Sequence, residues 1–126
     1  MDNERRSLPR YLCSDDFSDS QLIIDGQNFQ LMSINYNRRG IALYADRPLP
    51  INNKAQITFS FKAGDVSYEI IDLNCTIRHR LEADIGNQYG IEFSNTDGKA
   101  SATLTAIESI LASLSDDEDR YGLDGK

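Results

Sequence analysis

Apolar and polar positions alternate with a period of two through the middle of the chain, which predicts a series of short β-strands. Leu22, Ile23 and Ile24 lead into Asp25-Gly26, a turn signal, and a second apolar stretch follows over residues 29–34. That pair reads as a β-hairpin. The run Asn35-Tyr36-Asn37-Arg38-Arg39-Gly40 then separates the second strand from a third over residues 41–45. Asparagine tolerates turn conformations, and Gly40 permits a positive φ or the close approach of another backbone. Arg47-Pro48-Leu49-Pro50 breaks the third strand. Residues 56–62 alternate cleanly, with Ile57, Phe59 and Phe61 on one face and Thr58, Ser60 and Lys62 on the other. Ala63-Gly64-Asp65 turns the chain into a strand that groups Ile71, Leu73, Cys75 and Ile77 against Asp72, Asn74, Thr76 and Arg78. After a turn within residues 81–88, Tyr89, Ile91 and Phe93 alternate with Gly90, Glu92 and Ser94 as a last strand. About six short strands with tight turns predict an antiparallel sandwich or barrel.

Near the C-terminus the period changes. Leu104, Ile107, Leu111 and Leu114 are spaced 3, 4 and 3 apart with Ile110 beside them, an amphipathic helix capped from within residues 95–98 and covering one open end or face of the barrel. The run Asp116, Asp117, Glu118, Asp119 is too charged to pack, so residues 115–126 are expected to form a disordered acidic tail. The stretch 14–20 is small and acidic and reads as a linker. The expected organisation is a flexible arm over residues 1–20, a body over 21–114, and the tail.

The formal net charge of -7 argues against broad nucleic-acid or anionic-membrane binding, so an anionic ligand must be small and met by a local cluster. Two cysteines and one histidine fit no zinc spacing, and no metal or cofactor is expected. The start, MDNERRSLPR, has no apolar signal core, and no apolar run approaches the roughly 18 residues that span a bilayer. A cytoplasmic protein with reduced thiols and no membrane insertion is the expectation. An enzyme is not expected. His79 reads as a surface residue with no Ser, Cys or acid at a catalytic spacing, Cys75 as a buried small hydrophobe, and glycine loops of the phosphate-cradling type are absent.

Two polar clusters remain. The first places Arg5, Arg6 and Arg10 within six residues around Leu8-Pro9, which disfavours helix and keeps the stretch extended. Each guanidinium is a planar fork suited to phosphate oxygens and to the acceptor edge of guanine. The second is Asn35-x-Asn37-x-x-Gly40. Arg38 and Arg39 inside it read as solvated charges.

Arg6-x-x-x-Arg10 ahead of a strand-rich body, Asn35-x-Asn37-x-x-Gly40 about 25 residues later, YGIEF at residues 89–93 and the closing helix together resemble the PilZ domain, a bacterial receptor module for cyclic di-GMP. The resemblance covers essentially the whole chain and implies a six-stranded antiparallel β-barrel with an N-terminal arm and a C-terminal helix. It implies ligand binding by Arg5, Arg6, Arg10, Asn35, Asn37 and Gly40. Arg5 beside the pair goes with binding an intercalated dimer of the ligand. The output it implies is closure of the arm, read by an unidentified effector protein, from a monomer or weak dimer. The departure is Asn37, where the family has serine. A large side chain on a later strand, which in other members stacks on guanine, aligns with Ile77, next to Arg78. The alternative is a PilZ-type adaptor that binds protein partners without the nucleotide.

Overall fold

The computed structural model describes residues 10–13, 16–82, 87–94 and 98–124, side chains of Leu81, Glu82 and residues 115–124 excepted. Its strands are β1 (Tyr11–Leu12), β2 (Ser20–Ile24), β3 (Gln27–Asn37), β4 (Gly40–Ala45), β5 (Lys54–Ala63), β6 (Val66–Glu82) and β7 (Asn87–Phe93), followed by one helix, α1 (Gly98–Asp124). All pairings are antiparallel, in the order β3-β2-β5-β6-β7-β4, and β4 returns to β3 to close a six-stranded barrel. The expected barrel and helix are therefore present, with β1 as a seventh strand added on β3.

Local chemistry explains the turns. Asp25 and Gly26 sit at φ 51° and 83°, the left-handed pair that a two-residue hairpin needs, and they join β2 to β3 with Ile24 opposite Gln27. At the β3–β4 turn the Asn37 side-chain carbonyl accepts the amides of Arg39 (2.8 Å) and Gly40 (3.0 Å), which fixes the turn from within. Residues 83–86, within the predicted β6–β7 turn, and 95–97, among the predicted helix caps, lie outside the described residues.

Inside the barrel Leu22, Ile41, Leu43, Ile57, Phe61 and Ile77 are fully buried, and Leu104, Ile107 and Leu111 of α1 complete the core. Phe17, from the stretch expected to be a linker, is buried and packs on Phe61 and Tyr36 at ring-centroid distances of 4.8 and 5.4 Å. The polar neighbours that made the segment look like a linker satisfy the chain on either side of it: Ser18 Oγ accepts the Ser60 amide, and the Asp16 carbonyl accepts the Lys62 amide. The arm is thus pinned at β1 and again from Asp16 onward, and residues 1–9, 14 and 15 of it lie outside the description.

Two further expectations are corrected. Ile71 does not share the inner face with Leu73; it is 65 % exposed, and Ile70 is buried in its place. The cause is a β-bulge opposite Thr58, where Asp72 takes φ 53° and donates its amide to Thr58 Oγ1 at 2.9 Å. One extra residue in β6 shifts the alternation by one, turning Ile71 outward. The helix also runs on to Asp124, through most of the stretch expected to be a disordered tail. Nothing before Gly122 breaks a helix, and extending an existing helix fixes one residue per added bond.

Candidate functional site

The arm meets the polar turn on the outside of the barrel. Tyr36, Ile41, Ile91 and Ile77 lie opposite one another across β3, β4, β7 and β6 and all point into the core. The adjacent row, one residue away on β3, β4 and β7 and two away on β6 across a bulge at Arg78, faces outward: Leu12 and Asn35, then Ala42, then Gly90, then His79. Between Asn35 and His79 this row carries nothing larger than a methyl group. A second outward row runs from Asn37 through Gly40 to Glu92 and Thr76. Gly40, Ala42 and Gly90 thus form a floor poor in side chains. Arg10 and Asn35 stand on one side of it, and His79, Arg78 and Glu92 on the other.

Arg10 Nη1 donates to Asn35 Oδ1 at 2.9 Å, so the first and second predicted motifs do touch. Leu12 follows Arg10 by two residues and shares its face; it is 79 % exposed, an apolar side chain held beside the floor by pairing with Asn35. Arg5 and Arg6 lie outside the described residues.

The other motif residues hold the scaffold. Asn37 is buried, and its carbonyl oxygen is committed to the turn. Gly40 is required by the barrel: a Cβ there would collide with the Ile91 carbonyl oxygen of β7. Arg38, expected to be solvated, is tied to α1, since Nη1 meets Glu108 Oε1 at 3.0 Å while its amide donates to Oε2 at 3.1 Å. Glu108 is itself nearly buried against the hairpin tip. Ile77, aligned with the stacking position, is fully buried and faces the core, so it cannot touch an outside ligand. A bulge at Arg78 follows it, and Arg78 and His79 are both exposed.

His79 and Gly90 are the pair that the alternation pattern missed. A Cβ on Gly90 would strike the imidazole at Cε1, Nε2 and Nδ1, so the nitrogen-bearing edge of the ring lies on the glycine. A glycine inside an otherwise regular strand is the signal that pointed there, since it marks close approach. Arg78 pairs with Glu92 at 3.3 Å.

Both thiols are held in the protonated form. Burial pushes Cys13 and Cys75 up to about 12, well above the ordinary cysteine range. Burial, followed by the charge of Glu108 and the neighbouring Cys13, also raises Tyr36, whose hydroxyl donates to the Leu104 carbonyl at 2.7 Å. None of these groups is poised as a nucleophile. Among the described residues no group of three or more His, Cys, Asp or Glu could hold a metal ion, and no helix is long and apolar enough to cross a membrane.

A family model for the PilZ domain matches residues 4–109. The chain belongs to the PilZ family. No curated protein matches it. Solved structures share the fold. The PilZ domain of YcgR from Escherichia coli, determined with c-di-GMP, superposes with a TM-score of 0.70 at 11% identity, covering 92% of this chain and 98% of that one. YcgR in complex with c-di-GMP gives 0.71 at 14% identity, covering 97% and 51%. The Bacillus subtilis inhibitor of motility MotI/DgrA gives 0.67 at 15% identity, covering 83% and 51%. This PilZ domain thus spans about half the length of MotI and of YcgR, and nearly all of the isolated YcgR domain.

Two open depressions of about 420 and 400 Å³ flank Ile71, on the far side of the barrel from the motif residues. Neither includes Arg10, Asn35 or the glycine floor. The motif surface is a strip running from β3 across β4 and β7 to β6.

Proposed function

We propose that this PilZ domain is a non-catalytic receptor for cyclic di-GMP, in which the arginine arm closes over the strip between β3 and β6. The observation that carries the reading is the Arg10–Asn35 hydrogen bond beside a floor of Gly40, Ala42 and Gly90. It gathers members of both family motifs next to a part of the barrel that carries little side-chain bulk. Binding of c-di-GMP by YcgR supports the ligand class.

The chemistry is direct. A guanidinium spends one of its five donors on Asn35 and keeps others for a phosphate or a guanine edge. Arg6, four residues earlier, would supply a second fork, and Arg5 a third that would serve an intercalated pair of ligands. Asn35 offers both an acceptor and donors to a base edge. Asn37 and Gly40 act by shaping the turn and the floor. The signal would travel inward from the arm: β1 pairs Tyr11 with Tyr36, and the Tyr36 hydroxyl is bonded to the backbone of α1. A partner protein would read the arm and helix together.

Calorimetric titration with cyclic di-GMP tests the reading. Wild type should bind with micromolar or tighter affinity, and Arg6→Ala or Arg10→Ala should weaken binding at least tenfold while the fold persists. No heat, and no shift of arm amides at millimolar ligand, would overturn it and leave the adaptor reading.

A further inference from the structure

We infer that His79 is a proton-linked contact of the same site, so that ligand affinity rises as pH falls through the histidine range; this rests on the receptor reading above. Three observations converge. The bulge at Arg78 turns His79 outward, into the row that holds Asn35, Ala42 and Gly90. The missing side chain of Gly90 lets the imidazole lie down on the sheet, with both ring nitrogens over the floor. No described side chain hydrogen-bonds or ion-pairs with that ring. A histidine held by packing, with unengaged nitrogens above a surface that lacks side chains, is placed to meet whatever settles there.

Imidazole changes charge between about pH 5 and 8, and its cation offers two N–H donors where the neutral ring offers one donor and one acceptor. A cyclic dinucleotide brings permanently anionic phosphates and the O6/N7 acceptors of guanine. Contact with either favours the imidazolium, so binding takes up a proton and linkage makes the affinity pH-dependent. Among the described residues the charged groups around the ring are few. On β6 they are Arg78 and Arg80, on β7 Glu92, which Arg78 engages, and across the floor Arg10; β4 contributes the uncharged Gly40 and Ala42, with the Tyr44 phenol beyond. Apart from Glu92, which Arg78 already holds, they are cations or uncharged, so the ligand's own negative charge is what favours the added proton.

The test is calorimetry with cyclic di-GMP at pH 5.5 and pH 8.0 at constant ionic strength, with circular dichroism at each pH to establish that the fold is unchanged. Wild type should bind roughly tenfold tighter at pH 5.5 than at pH 8.0. At pH 6.5 the binding heat should vary with buffer ionisation enthalpy, reporting proton uptake. His79→Gln should bind equally at both pH values, and Gly90→Ala, which displaces the ring, should flatten the dependence as well. Binding that is equally tight at both pH values in wild type, or a slope that survives in His79→Gln, overturns the inference alone. Absence of binding at either pH overturns the receptor reading together with it.

Discussion

Replacing Gly40 with alanine separates a residue that contacts ligand from one that holds the barrel. The added Cβ would be driven into the Ile91 carbonyl oxygen, with the carbonyl carbon 3.4 Å away and the Glu92 Cα at 3.6 Å. All three are backbone atoms of β7, so no side chain can swing aside, and β4 and β7 must part. Overpacking of this kind costs about 1–3 kcal/mol. The bond from the Phe93 amide to the Arg39 carbonyl, 2.9 Å long and next to the collision, would weaken, adding about 1 kcal/mol. The expected total is about 2–4 kcal/mol, which lowers the melting temperature by roughly 8–15 °C in a chain of this size. Urea unfolding followed by far-ultraviolet circular dichroism measures it. A variant within about 0.5 kcal/mol of wild type that nevertheless fails to bind ligand would refute the argument and make Gly40 a ligand residue. Gly90→Ala is the comparison, because there the obstacle is the movable end of His79; its cost should stay below about 1 kcal/mol.

Three further outcomes follow from the same structure. Ile70→Ser should destabilise by at least about 3 kcal/mol while Ile71→Ser stays within about 0.5 kcal/mol, and equal effects in urea titrations would contradict the bulge. Glu108→Ala should cost about 1–3 kcal/mol by leaving the Arg38 amide without its acceptor and should speed hydrogen exchange at the β3–β4 tip; unchanged exchange there would count against that tie. Cys75 and Tyr36 have folded-state pKa values above their unfolded ones, so the native state holds protons that the unfolded chain releases, and the stability they contribute is complete below about pH 9 and lost as pH rises through about 9–12. Urea midpoints should therefore be level from pH 7 to 8.5 and fall above that. The fall should be smaller in Cys75→Ala relative to its own neutral-pH value, and an identical fall would dismiss the thiol as a cause.

The hairpins, the closing helix and most of the core were legible because each depends on near neighbours. Asp25-Gly26 encodes its own turn, and the alternation of Ile57, Phe59 and Phe61 survives intact in β5. What the pattern could not carry were the places where one residue is added to a strand. At Asp72 a non-glycine residue adopts positive φ because Thr58, on another strand, receives its amide. At Arg78 the extra residue exchanges the stacking role expected near Ile77 for an exposed histidine. Both are settled by cross-strand partners distant in sequence. Phe17 was hidden for a different reason: its flanking acids and serines describe the rim it crosses, whereas its burial depends on the opposite wall.

The motif itself divides on this scaffold. Serine or asparagine at position 37 can cap the turn alike, since either offers an oxygen to the amides two and three residues on, and asparagine caps more strongly. The substitution that sets this chain apart from the family pattern therefore leaves the backbone purpose of the position intact. With Asn37 turned toward its own turn and Gly40 pressed against β7, on the proposed reading Arg10 and Asn35 on one side of the floor and His79 on the other are left, among the described residues, to meet a ligand. If that division is right, Asn37→Ser should cost about 0.5–1 kcal/mol of stability and leave affinity for cyclic di-GMP within threefold, whereas Asn35→Ala should leave stability nearly untouched and weaken binding tenfold or more. The reverse pattern in the same titrations would return Asn37 to the ligand and leave Asn35 as the residue that merely positions the arm.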